Sequence, residues 1–474
     1  MADKNEDESR EDKWKSIGEI FNHGNDISKS DAIRLISDHI LSWDNLTEND
    51  LEMTVLQGGF VNRLFICENK RLMNESGKKS SDQKSKEESR GEKNDKGKES
   101  RGEDDDKGKE SREENNDKGE ESRGEKNDKE EEPKKVILRL MGGKIIDKYS
   151  KDNILATHGE VIESLNYYLM SSAKLGPKIF GIFSGGRIEE YIPSRTLSDD
   201  DLMDPKITAA FARKLARVHN MAPPIVKKAK DMFGIIGKIR DENLAEFQEK
   251  MRSIEIPAGL ESSAQSWFEF NLSSYIDWMI ETFPSIKTRV VFSLNDLNRA
   301  NCIIREGAEA EKMEAIDRLL LIDYEFCSYV WRGCDIGQHF QNRTVDVTKM
   351  TVKKESDDQV DFHSALLYPS EEERRYFIQN YLDEVRMLGT YELDSNIDSV
   401  ENILIESEYF GILWQIFFCL WIVRDHDKWT GKGFGGPSAM FFYLADFVKQ
   451  FSERKERFLE LRERYQNLKS SGTV

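Results

Sequence analysis

Apolar positions along this chain come in short runs, and their spacing changes from period two to period 3.6. MTVLQGGFVNRLFICE, Met53 to Glu68, reads as strand, turn and strand, because β-branched and aliphatic runs flank a glycine pair. KKVILRLMGG, Lys134 to Gly143, reads as another strand. HGEVIESLNYYLMSS has helical spacing through Val161, Leu165 and Leu169. KLGPKIFGIFSGGRIEEYIPSRTL, Lys174 to Leu197, reads as two strands around Ser184-Gly185-Gly186 that leave the sheet at Glu190-Tyr191-Ile192-Pro193. A helix is expected from Pro205 to about His219. VVFSLNDLNRANCII, from Val290, predicts a strand, a polar turn and a second strand, with Leu319 to Ile322 returning beside it. YFGILWQIFFCLWIV, Tyr409 to Val423, falls short of the roughly 20 residues a bilayer span needs, so a buried helix is predicted. FSERKERFLELRERYQNL, near the end, predicts a helix with a solvated charged face.

From Ser76 to Lys134 this patterning stops. ESRGEKNDKGK, ESRGEDDDKGK, ESREENNDKGE and ESRGEKNDKEE follow one another from Glu88 with period 11. Such a period supercoils only if apolar residues make a seam, and none do. The segment cannot bury enough surface to offset its ordering entropy, so disorder is the expectation. With strands on both sides, it is a loop insertion, which costs little because closure entropy grows slowly with length.

Charge and cysteine usage narrow the class. The 474 residues carry 70 Lys and Arg against 89 Asp and Glu, a net charge of −19, which argues against nucleic acid as the main partner. Cys67, Cys302, Cys327, Cys334 and Cys419 show neither zinc spacing nor a secretory framework. MADKNEDESREDKWK lacks the apolar core of a signal peptide. A soluble cytoplasmic protein without a membrane span is the expectation.

Candidate chemistry gathers at a few polar residues in apolar surroundings. Gly58-Gly59, followed by Asn62, could bring backbone N–H groups to phosphate oxygens, although a plain hairpin turn would look the same. Arg139 is a lone cation among Val136, Ile137, Leu138, Leu140 and Met141, and it needs a partner. The following helix supplies Glu160 and Glu163, and a strand cation paired with a helix glutamate is how kinases hold ATP phosphates, although an ordinary structural ion pair would read the same. Asp296 and Asn301 form D-x-x-x-x-N, the catalytic loop of phosphotransferases. There the Asp accepts a hydroxyl proton and the Asn holds magnesium. In the predicted hairpin Asn301 opens one strand and Asp323 closes its neighbour, so both reach one metal ion. No D-F-G or A-P-E follows, which disfavours a protein-serine kinase.

NDLNRAN, with IDYEFCSYVWRGCDIGQHF from Ile322, resembles the choline and ethanolamine kinases, and LGPKIFGIF, EEYIPSR, LQGGFVNRLF and VILRLMG support the match. The resemblance runs from about Asp44 to about Gln450 outside the charged insert. It implies an α+β, protein-kinase-like two-lobed fold with a small antiparallel-sheet N-lobe and a larger, mainly helical C-lobe. The expected division is 1–50, an N-terminal extension with a helix; 51–192, the nucleotide-binding lobe interrupted by the insert at 76–134; and 193–474, the helical lobe. The implied reaction moves the ATP γ-phosphate to choline or ethanolamine with magnesium, the first step toward phosphatidylcholine and phosphatidylethanolamine. Carried over, Asp296 is the base, and Asn301, Asp323 and Glu325 form the metal site. Gly58, Gly59, Phe60, Val61, Asn62, Arg63 and Leu64 form the nucleotide loop, Arg139 paired with Glu163 lies at the phosphates, and Glu190, Tyr191 and Ile192 make the adenine hinge. Asn298, Phe326, Asn342, Phe418 and Trp421 line the alcohol pocket, and the family also allows a homodimer.

Departures from the pattern put parts of this in doubt. The family's loop reads H-N-D where this chain has Leu294-Asn295-Asp296. That His would brace the loop, so Leu294 is expected to lower the rate without removing the chemistry. Asn342 replaces an acid, Phe326 a Tyr, Phe418 a Trp and Ala439 a Tyr, which weakens a cage for a quaternary ammonium. Two alternatives stay open: a kinase for another small amino alcohol, and a catalytically weak, kinase-shaped regulatory protein.

Overall fold

The computed structural model describes residues 27–56, 63–74, 132–141, 159–344, 366–424 and 436–471. Gly58, Gly59, Phe60, Val61, Asn62 and nearly all of the charged insert lie outside these residues, as do the side chains of Glu160, Trp421 and Ala439.

Strands β1 (Leu51–Leu56), β2 (Arg63–Asn69), β3 (Lys135–Leu140), β4 (Ile179–Phe183) and β5 (Gly186–Glu190) form an antiparallel sheet in the order β1-β2-β3-β5-β4. Alternation along β3 buries Val136, Leu138 and Leu140 on one face. Helix α1 (Lys29–Ser37) starts at Ser28, whose Oγ accepts from Asp31 N at 3.1 Å. It lays Ala32, Leu35 and Ile36 into the same core as Phe65 and Leu138. Trp43 is fully buried there, and its Nε1 donates to Pro133 O at 2.8 Å. The helix of the N-terminal extension is therefore part of the sheet's core, and Trp43→Ala would cost about 3–5 kcal/mol. Asn69 N donates to Lys134 O at 2.9 Å, so the last residues of the predicted insert, 132–134, already lead into β3.

Helix α2 (Gly159–Ser172) crosses from this sheet to the rest, burying Tyr167 and Met170 in a second and larger core. After β5 the chain passes through Tyr191 and Ile192 into β6 (Ser194–Thr196). Strand β7 (Val290–Ser293) pairs with β10 (Ser328–Trp331), and β6 pairs with β8 (Cys302–Arg305), which pairs with β9 (Leu319–Leu321). These short strands sit among the helices α3 (Pro205–His219), α4 (Met232–Glu242), α5 (Leu244–Arg252), α6 (Glu261–Glu269), α7 (Leu272–Thr282), α8 (Gly333–Asn342), α9 (Glu371–Leu388), α10 (Val400–Arg424) and α11 (Gly436–Ser470).

Helices α8 and α10 approach at a glycine seam. A Cβ on Gly337 would clash with Ser407 O and with the backbone of Gly411, so only glycine allows this spacing. Within α10 the segment Val400–Leu420 is long and apolar enough to cross a membrane, yet 89% of it is packed inside the protein. The architecture is the expected α+β one, a small antiparallel sheet beside a larger helical body.

Candidate active site

Strand β7 delivers the chain to the polar turn. Leu294 is buried, and Asn295 takes a left-handed φ of 62°, which reverses the backbone. The turn is bound at several points. Asn295 Nδ2 donates to Phe326 O and Ser328 Oγ, both at 2.9 Å. Leu294 N and Asn295 N donate to the two oxygens of Asp335 on α8, each at 2.8 Å. Leu297 N donates to Gln338 Oε1 at 2.8 Å. Behind Asp335, His219 Nε2 lies 3.1 Å from Oδ2, and His219 Nδ1 lies 3.0 Å from Tyr381 OH.

The expected D-x-x-x-x-N pair closes on itself. Asn301 Nδ2 donates to Asp296 Oδ2 at 2.8 Å and to Asp296 O at 3.0 Å. Asn298 caps the single turn Arg299–Asn301 through Oδ1, while its Nδ2 donates to Asp296 Oδ1 at 2.9 Å. Strand β9 brings in the other acids, and Ile322 N donates to Asn301 O at 2.9 Å, which fixes the two strand ends together. Asp323 follows with a left-handed φ of 65°. Tyr167 of α2 donates its hydroxyl to Asp323 Oδ1 at 3.4 Å and accepts from Tyr324 N at 3.1 Å.

Like charge accumulates here. Burial, then the Asp323 charge, push the Asp296 carboxyl up to about 7, against the bonds from Asn298 and Asn301. Burial, followed by Asp323, Glu163 and Asp296, raises Glu325 to about 9. Carboxylates that raise one another in this way fit a cation. Among the described residues no three Asp, Glu, His or Cys side chains form a metal cage of their own. That donor set suits magnesium, which is bound by one or two carboxylates and completed by substrate phosphates and water.

The cation expected to pair with Glu163 is corrected by the structure. Arg139 Nε donates to Glu189 Oε1 at 2.7 Å, and it is Arg187 that meets Glu163, through Nη1 at 2.9 Å. Strand register is the cause. Arg139 stands directly opposite Arg187, and Glu189, two residues on, shares their face. Glu189 Oε1 also accepts from Arg187 Nε at 2.6 Å, so it bridges the two like charges. The Arg187 guanidinium stacks 3.3 Å from the Tyr167 ring centroid.

Other expected residues fall as follows. Arg63 and Leu64 open β2, with Leu64 opposite Arg139. Glu190, Tyr191 and Ile192 lead from the five-stranded sheet toward β6 of the three-stranded one. Glu190 Oε2 accepts from Lys178 N at 3.0 Å, and its Oε1 lies 3.4 Å from Arg305 Nη1. The backbone carbonyl of Phe326 holds Asn295. Asn342 ends α8, with its Nδ2 buried and unbonded. Phe418 turns toward α11, its ring 5.6 Å from Phe447 and 6.3 Å from Tyr443. Arg187, Glu189, His219 and Asp335 lie within stretches that the sequence singles out, but carry no role there. The charge alternation in GRIEE was the available signal for the first two.

The sequence profile of the choline/ethanolamine kinase family matches residues 121–457. Human choline/ethanolamine kinase is 29% identical over 294 residues, which is 61% of this chain and 66% of that protein. Mouse choline kinase alpha is 30% identical over 305 residues, 61% of this chain and 63% of that protein. The chain thus matches just under two thirds of the length of these relatives. Among solved structures, choline kinase from Cryptosporidium parvum superimposes over 91% of this chain and 97% of its own, with a TM-score of 0.57 and 16% identity, a likeness of fold. The profile match takes in β3, the connection from β5 to β6, the Asp296 turn and helices α8 to α10, and the chain belongs to the choline/ethanolamine kinase family.

Proposed function

We propose that this chain transfers the γ-phosphoryl group of ATP to the hydroxyl of choline or ethanolamine, giving the phosphoalcohol and ADP. The carrying observation is the turn in which Asp296 is held by Asn298 and Asn301 beside Asp323. A new bond forms between the alcohol oxygen and the γ-phosphorus as the bond to the β–γ bridging oxygen breaks. The hydroxyl proton passes to Asp296, whose raised affinity for protons suits a base working near neutral pH. Asn301, Asp323 and Glu325 would hold magnesium, which neutralises charge on the phosphate oxygens when bound. Arg139 and Arg187, fixed by Glu189 and Glu163, set the charge of the wall facing the phosphates. The hinge at Glu190 to Ile192 is the reading for adenine.

The alternative of a catalytically weak, kinase-shaped protein leaned on Leu294 and Asn342. Asp335 and His219 weaken it, since they hold the loop backbone whatever side chain stands at 294. Asn342 and Phe418 leave the choice of alcohol to measurement. The five cysteines are all buried and unpaired, which supports a reducing cytoplasmic setting.

The test is a coupled ADP-release assay with magnesium-ATP and choline or ethanolamine in parallel, with Asp323→Ala as the blank. Alcohol-dependent turnover that the blank lacks is expected. Magnesium-ATP binding without alcohol-dependent turnover would overturn the reading.

A further inference from the structure

Tyr368 is surrounded by three guanidinium groups. Arg457 lies 4.5 Å from its ring centroid, Arg454 4.7 Å and Arg374 5.4 Å. The carboxylate among them is Glu408, fully buried on α10. Its Oε1 accepts from Tyr368 OH at 3.0 Å and from Arg374 Nη1, while Arg457 Nε stands 3.6 Å away. Three positive charges therefore face one negative charge.

Four buried polar atoms in this cluster have no hydrogen-bond partner: Arg454 Nη1 and Nη2, Arg457 Nε and Glu408 Oε2. Arg454 is 1% exposed. Its guanidinium fills the space left by Gly411, where any Cβ would clash with it, so it rests against α10 without an acceptor. A buried charge in this state is costly, and cores seldom keep one unpaired. Glu408 cannot supply the balance, because it brings one negative charge against three guanidinium groups.

We propose that the cluster is a binding site for hydrogen phosphate. The unpaired N–H groups of Arg454 and Arg457 would donate to its oxygens, the geometry guanidinium groups favour for phosphate. Glu408 Oε2 supplies selectivity. It is an acceptor, so it bonds only to an oxyanion that still carries a proton. Inorganic phosphate keeps one at neutral pH. Sulfate carries none, and a phosphomonoester, whose second proton leaves near pH 6, is mostly without one. Arg457 is the more accessible side of the cluster, its side chain 29% exposed against 5% for Arg374.

The experiment is thermal unfolding of the full chain, without nucleotide and at constant ionic strength, titrated separately with inorganic phosphate, sulfate and phosphoethanolamine. Wild type is compared with Arg454→Met, and with Arg457→Met on the accessible side should the first variant fail to fold. The expected result is a saturating rise in Tm with phosphate, larger than with sulfate or phosphoethanolamine, and lost in the variant. No saturating rise in wild type, or an equal rise in the variant, overturns the site. An equal rise with sulfate, or a larger one with phosphoethanolamine, counting in each case only the part that the variant loses, overturns the selection by Glu408.

Discussion

Two groups of buried charge sit at either end of Tyr167, and they differ in sign balance. On the sheet, Arg139 and Arg187 meet Glu189 and Glu163, two against two, all joined at 2.9 Å or less. Glu189 is 3% exposed, yet its carboxyl stays below the ordinary glutamate value, because the two arginines outweigh its burial. At the turn, Asp296, Asp323 and Glu325 crowd together with the same sign, and the first and last are pushed up instead. Burial alone does not decide the outcome. Balanced charges settle one another and build structure, whereas like charges leave a demand that a ligand must meet. The cluster around Tyr368 is the same case with the sign reversed.

The comparison breaks if both groups respond alike to loss of a charge. Asp296→Asn should lower kcat by about 10²–10⁴, the usual contribution of a general base. Its unfolding midpoint should hold or rise, because one of several repelling carboxylates is gone. A variant that turns over normally would remove Asp296 from the role of base. Glu189→Gln should do the opposite in kind. It strands Arg139 beside Arg187, which keeps only Glu163, and should cost about 3–5 kcal/mol in urea unfolding, the penalty for breaking a buried pair. A loss no larger than that of a surface substitution would mean the sheet does not depend on this bridge.

What the sequence disclosed and what it hid divide along the same line. The strands around Gly58-Gly59, β3, α2 and the Asp296 hairpin were legible, because each rests on local spacing of apolar residues. Asp296 and Asn301 were legible because they stand only five positions apart and the turn between them contains its own cap at Asn298. The partner of Arg139 was not, since strand register across β3 and β5 decides it. Asp335 lay inside a motif noticed for its family resemblance, but its grip on the Leu294 and Asn295 amides joins residues 41 and 40 positions apart. No local pattern carries that contact.

His339 gives a smaller effect that sharpens the point about burial. It is packed between Phe211 and Phe377, with ring centroids 4.1 and 4.7 Å away. Burial, and then the nearby Arg343 charge, lower its pKa from 6.5 to about 3. The folded value lies below the unfolded one, so unfolding takes up a proton in acid. This contribution is therefore whole above pH 6.5 and is lost as pH falls toward 3, at up to about 1.4 kcal/mol per pH unit. His339→Asn should lose less stability than wild type between pH 7 and pH 5 in paired urea titrations. Equal losses would mean the ring is protonated in the folded chain.

The smallest effect on rate should come from Leu294→His, which restores the residue usual in the family. The loop backbone is already held by Asp335 at both amides and by the Asn295 side chain at Phe326 and Ser328. A brace added at 294 has nothing left to fix, so kcat should stay close to that of the parent. Stability should fall instead. Leu294 is 2% exposed and belongs to the main apolar core, where an imidazole without a partner costs about 1–3 kcal/mol. A several-fold gain in kcat would show that the Asp335 grip is incomplete and that the leucine restrains the enzyme. An unchanged kcat with a lower Tm would show that the turn is positioned from behind, through α8 and His219, and that residue 294 serves the core.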